Sequence, residues 1–179
     1  LVAPALRAVT PDPALAGMAP TAARLALAAG DEGLARRWRG LLAGAERDRL
    51  DFLLALAVPD AALPAGVGRE GREFGSPALR IALLSALGRP VPARLWLLLP
   101  AAAWNTAAVP RAPVAAQLVL ASAAPAKRVG ETVLAALALA ASGESDPVLL
   151  HAAIGGIERV GLDADARRFA VEAALAAGL

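Results

Sequence analysis

The chain has 179 residues, 58% of them hydrophobic and 19% charged, with a net charge of +2 and no cysteine. That composition excludes intrinsic disorder, disulfides and thiolate metal sites, and the length suffices for one domain with a real core or for a short repeat array. The pI of about 10.3 does not signal a nucleic-acid partner. With no Cys or Tyr and a single Lys, little titrates between neutrality and the arginine range. Acids also alternate with arginines in Glu46-Arg47-Asp48-Arg49 and at Asp51, the pattern of a self-compensated helix face.

The apolar mass is mostly Ala and Leu, which lose little entropy in helices, so helix is expected throughout. Asp12 caps a first helix with Pro13 at its first position, where a missing N–H costs nothing. That helix is expected to run to Ala29 and stop at Gly30. In the next helix Leu34, Trp38, Leu41, Leu42 and Ala45 share one face, and Arg36, Arg37 and Arg39 the other. A third helix, about Glu46 to Val58, should bury Leu50, Leu53, Leu54 and Ala57.

Pro59 to Gly75 is the one long irregular stretch, rich in glycine and proline. It reads as a loop inserted in a single domain over residues 1–179, dispensable for folding and available for recognition. Helices resume at Ser76-Pro77, stop at Gly88 and start again near Pro92. Trp104-Asn105-Thr106 falls in a second loop ending near Pro113. Further helices are expected over Val114–Ala124, Lys127–Ala141 and Asp146–Val160. Gly161 makes the last turn, and Asp163 caps a final helix over Ala164–Ala177.

Three stretches repeat one pattern. Gly30, Ala35-Arg36 and Trp38 are matched by Gly88, Ala93-Arg94 and Trp96, and by Gly161, Ala166-Arg167 and Phe169. The alanine stands five residues after the glycine and the aromatic eight after it. Upstream of each copy is a cap-and-proline pair: Asp12-Pro13, Ser76-Pro77 and Asp146-Pro147. Aromatics recurring at one repeat position are expected to wedge in the core between hairpins.

The Gly-x4-Ala-x2-aromatic pattern resembles the turn and second helix of a tetratricopeptide-type repeat. Gly161, Ala166, Phe169 and Ala173 match that family's turn, small, aromatic and second small positions. Gly30, Ala35 and Trp38 match the first three, with Leu42 at the last. The glycines stand 58 and then 73 residues apart, against the family's 34. The resemblance covers about half the chain. It implies an all-α, right-handed short α-solenoid of antiparallel hairpins, about eight or nine helices, serving as a protein–protein interaction scaffold or adaptor. The composition also resembles Ala/Leu/Arg-rich proteins of alphaproteobacteria, and zero cysteine suits cytoplasm and periplasm alike. A start at Leu1 rather than Met is expected of a piece of a longer protein.

The candidate chemistry is sparse. Gly66-Val67-Gly68-Arg69-Glu70-Gly71 spells a dinucleotide fingerprint but lacks the strand and helix that would put a pyrophosphate on a helix N-terminus. Glu144-Ser145 resembles the Glu-Ser pair of lytic transglycosylases, yet it sits between Gly143 and Asp146-Pro147 as a turn feeding a cap. The alternative function drawn from that pair is the helical, non-catalytic portion of a larger bacterial envelope enzyme. His151, the single histidine, cannot build a zinc site alone and is expected to be structural. From Leu95 to Ala126 the only charge is Arg111, but Pro100, Pro110, Pro113 and Pro125 cut the run below the roughly 20 residues of a membrane span. No catalytic, metal or cofactor residue is expected. The candidate partner contacts are Arg69, Arg72 and Phe74 in the long loop, and Trp104, because Trp is enriched at interface centres.

Overall fold

A computed structural model describes residues 2–59, 61–64, 67, 76–99, 114–142 and 146–179. Among them every regular element is helical. In chain order these are α1 (Val2–Ala8), a 3-10 helix (Pro13–Met18), α2 (Ala19–Ala28), α3 (Glu32–Arg39), α4 (Gly44–Ala57) and α5 (Pro77–Ala86). They continue with α6 (Ala93–Leu97), α7 (Val114–Ala123), α8 (Val129–Ser142), α9 (Pro147–Arg159) and α10 (Asp163–Ala176). The all-α expectation holds, with more helices among the described residues than the eight or nine expected.

Three caps depart from the sequence reading, one being Ser76, which precedes α5 without a side-chain hydrogen bond. Asp12 accepts from the Ala14 N–H as expected, but it opens the 3-10 helix rather than one long α-helix. Pro20 lacks the N–H that a continuous α-helix would donate to Ala16, and the Ala19 N–H closes on that carbonyl instead. At the other end, Asp163 is the first residue of α10 rather than its cap, which is Leu162, with no side-chain hydrogen bond.

Three helix ends share one backbone geometry. Gly30, Gly88 and Gly161 all have left-handed backbone, at φ 73, 60 and 87°. Each is followed by the same closing bond, from the N–H one residue on to the carbonyl five residues back: Asp31 to Ala26, Arg89 to Leu84 and Leu162 to Ile157. This is the Schellman closure of a helix C-terminus. The same bond closes α7, where Lys127 takes φ 57° and Arg128 N–H reaches the Ala123 carbonyl at 2.9 Å. Lys127 and Gly161 are 34 residues apart, so a turn without glycine divides the 73-residue interval.

Burial follows these turns in three of the four hairpins. Ala35, Thr132 and Ala166, each five residues past its turn, are fully buried. Eight past the turn, Trp38 is 1% exposed, Ala135 is buried and Phe169 packs partly against the core. The second copy departs. Ala93 and Trp96 are exposed, Trp96 at 47%, and Leu95 fills the core in their place. Trp96 is therefore no core wedge. Pro90 and Pro92 prevent a helix from starting straight after the turn, so α6 begins only beyond its Pro92 cap and its register shifts.

Consecutive helices pair as α2 with α3, α7 with α8, α8 with α9 and α9 with α10. Distant segments also meet, since α5 packs on α9, and α10 packs on α4, α2 and α5. The order in space is thus not the order in sequence. One core runs through both halves, with Leu34, Trp38, Leu53, Leu56, Leu83, Leu139 and Ile154 fully buried. α4 buries more than one stripe, because Phe52, Ala55 and Leu56 are buried beside Leu50, Leu53 and Leu54 while Ala57 is half-buried.

The described part of the Pro59–Gly75 stretch is not free of the core. Val67 is 2% exposed and belongs to the buried cluster. The buried Arg80 donates to the Val67 carbonyl. Arg89 donates to the carbonyls of Val58, Pro59 and Ala61, and Arg94 to that of Pro64. Irregular backbone needs partners for its carbonyls, and three arginines of α5 and α6 and the turn between them supply these. This part of the stretch is thus held against the core through Val67 and the arginine bonds.

Candidate functional site: an apolar groove along α9

α9 starts where its sequence says it should. Asp146 Oδ1 accepts from the N–H groups of Val148 at 2.8 Å and Leu149 at 3.3 Å, and Pro147 occupies the first turn. The helix then buries Leu149, Leu150, Ala153, Ile154, Gly156 and Ile157. Left over is a second stripe at helical spacing: Val148, His151, Ala152, Gly155 and Arg159.

This stripe is the floor of a groove. On one side it meets α5 and the end of α6, around a cavity of about 380 Å³ lined by Ile81, Ser85, Trp96 and Leu99. On the other it meets α7 and α8, around a cavity of about 400 Å³ lined by Gln117, Leu120, Ala121 and Leu139. Val148 and His151 line both, so the two spaces flank these side chains on either side of α9. Paired glycines bring the walls close. A Cβ at Gly156 would stand 2.6 Å from Leu120 Cδ1, and one at Gly155 would lie 3.7 Å from the Ala86 carbonyl.

The surface offered is apolar. Val148 is 73% exposed, and Trp96 stands half-exposed at the rim. Among the described residues, His151 and Arg159 are the only ionisable side chains lining the two cavities, and no carboxylate lines either. Arg159 makes no ion pair among the described residues. The Ser85 hydroxyl donates to the Ala82 carbonyl of its own helix and makes no bond to His151 among the described residues, so no nucleophile–base pair is built here. Among the described residues no three His, Asp or Glu side chains converge as metal ligands, and no helix is long and apolar enough to cross a membrane.

Arg69, Arg72, Phe74 and Trp104, the contacts expected from the sequence, lie outside the described residues, as do Glu144-Ser145 and all of the glycine fingerprint except Val67. Sequence reasoning missed the groove residues Val148, His151 and Trp96. A signal was present, because α9 is apolar on more than one face and carries Gly155-Gly156, whereas a helix with one buried stripe needs neither.

No protein-family model, curated protein or solved structure matches this chain.

Proposed function

We propose that this protein is a non-enzymatic interaction scaffold, built from degenerate tetratricopeptide-like hairpins, that docks an apolar segment of a protein partner along α9. The observation that carries this reading is the exposure of Val148 and Trp96 beside two neighbouring cavities that share Val148 and His151. Contiguous apolar surface with concave relief is costly to leave in water and is kept where something binds. The groove floor comes from α9, and its walls from the hairpins α5–α6 and α7–α8. The 34-residue interval between the turns at Lys127 and Gly161, which equals the tetratricopeptide period, supports the repeat reading.

The test is affinity capture with the 179-residue chain and its Val148→Glu variant. Val148 is mostly solvated, so the variant should fold, while a carboxylate on the groove floor should expel an apolar segment. A polypeptide held by the unmodified chain and released by Val148→Glu is the expected result. Identical capture by both contradicts the assignment of the groove.

A further inference from the structure

We propose that Glu158 is a proton-operated clasp between α9 and the last turn of α5. As a carboxyl it donates to the open carbonyls of that turn; as a carboxylate it is repelled by them. This stands apart from what the groove docks, because it concerns how one wall is held to the floor.

α5 ends with carbonyls to spare. The Gly88 N–H reaches the Ser85 carbonyl and the Arg89 N–H that of Leu84. Pro90 has no N–H to give the Ala86 carbonyl, and among the described residues no backbone N–H reaches the carbonyl of Leu87. Such unpaired carbonyls are the negative end of a helix dipole. That end lies against α9. The Ala86 carbonyl is 3.7 Å from a Cβ built on Gly155, and Glu158 Oε1 is 3.9 Å from one built on Gly88. Gly155 and Glu158, three residues apart, share one face of α9.

Glu158 is half-buried there and makes no hydrogen bond or ion pair among the described residues. Burial, then the charge of Asp163, raises its carboxyl above the ordinary value of 4.5, against the opposing pull of Arg167 and Arg159. The remaining charges on the elements packed around α9 are engaged elsewhere. Arg80 donates to the Val67 carbonyl, Arg89 to those of Val58, Pro59 and Ala61, and Lys127 to that of Arg159. Arg128 pairs with Glu131 and Arg168 with Glu172, while Asp165 is exposed. α7 carries no charge, and His151 faces the groove.

A proton taken from water neutralises Glu158 and supplies the O–H for an α5 carbonyl; its release restores the repulsion. The fold therefore holds this proton more tightly than the unfolded chain does. The stability that Glu158 contributes is full below the unfolded value of 4.5 and is lost as pH rises through the raised folded value.

Carbon-13 NMR of the Glu158 carboxyl, with chemical denaturation and amide exchange from acid to neutral pH, tests the clasp. The carboxyl should titrate above the ordinary glutamate range, and Asp163→Asn should shift it down. Glu158→Gln, neutral at every pH and itself a donor, should show the higher denaturation midpoint near neutrality, a lead that shrinks as pH falls. Both chains share Asp31, so its own titration cancels in that difference. Protection of the Gly88 and Arg89 amides should rise on acidification in the unmodified chain and stay level in Glu158→Gln. An ordinary or lowered Glu158 titration, a lead that is constant with pH, or protection that ignores pH overturns the proposal.

Discussion

Leu120 fills the space that a side chain at position 156 would need: a Cβ built on Gly156 stands 2.6 Å from Leu120 Cδ1 and 3.2 Å from its Cγ. The contact fixes how closely α7 approaches α9, and so sets one wall of the groove against its floor.

Gly156→Ala should therefore lower stability by about 1 kcal/mol, because crowding of roughly 1–3 kcal/mol outweighs a helix-propensity gain of about 1 kcal/mol. In a Leu120→Ala background the same change should be neutral or stabilising. A double-mutant cycle by chemical denaturation reads the coupling. Additive effects would mean the two residues do not meet.

Trp38 and Trp96 occupy the same place in the sequence pattern and opposite places in the fold. Trp38→Ala should cost about 3–5 kcal/mol, as expected for a core aromatic. Trp96→Ala should cost less than about 1 kcal/mol, the range of surface changes, and should instead weaken docking. Equal costs in denaturant titrations would contradict the register shift of α6.

Lys127 adopts a left-handed backbone that costs an ordinary residue roughly 1–2 kcal/mol. Its Nζ donates to the Arg159 carbonyl, but the side chain is exposed and the bond adds little. Lys127→Gly should raise stability by about 1 kcal/mol in thermal or chemical unfolding. A loss of stability would show that the Lys127–Arg159 bridge outweighs the backbone strain.

Asp31 caps α3 through the Leu34 N–H at 3.0 Å and accepts from Arg7 Nε at 2.7 Å. The Leu34 bond, then the Arg7 bond, hold its carboxyl below the usual carboxylate range. A lowered folded-state value means that the ionised form is preferred in the fold. Its stabilisation is complete above the unfolded value of 3.8 and fades as pH falls through the lower folded value. Asp31→Asn should flatten that part of the acid limb of the stability curve. An unchanged acid limb would place the effect elsewhere.

The helical class was legible in the sequence because Ala and Leu dominate it and Asp12, Ser76 and Asp146 precede prolines at helix starts. The turns at Gly30, Gly88 and Gly161 were legible because glycine marks the left-handed backbone. The turn at Lys127 was hidden, since the same hydrogen bonds form there without that marker. Trp96 was misplaced because Pro90 and Pro92 shift a register that the residue pattern shows as constant. The anchoring of Val58, Pro59, Ala61, Pro64 and Val67 was invisible, since arginine-to-carbonyl bonds leave no trace in spacing. The groove depends on α5 packing against α9, a contact between distant segments that local patterns do not carry.

Photo-cross-linking from position 148 tests the groove most directly. A photoreactive side chain placed there, and another at the exposed Asp165 of α10 as control, would be activated in the presence of the protein's native neighbours. A discrete adduct with a partner polypeptide from position 148, and none from position 165, is the expected result. No adduct from position 148, or the same adduct from both positions, would contradict it.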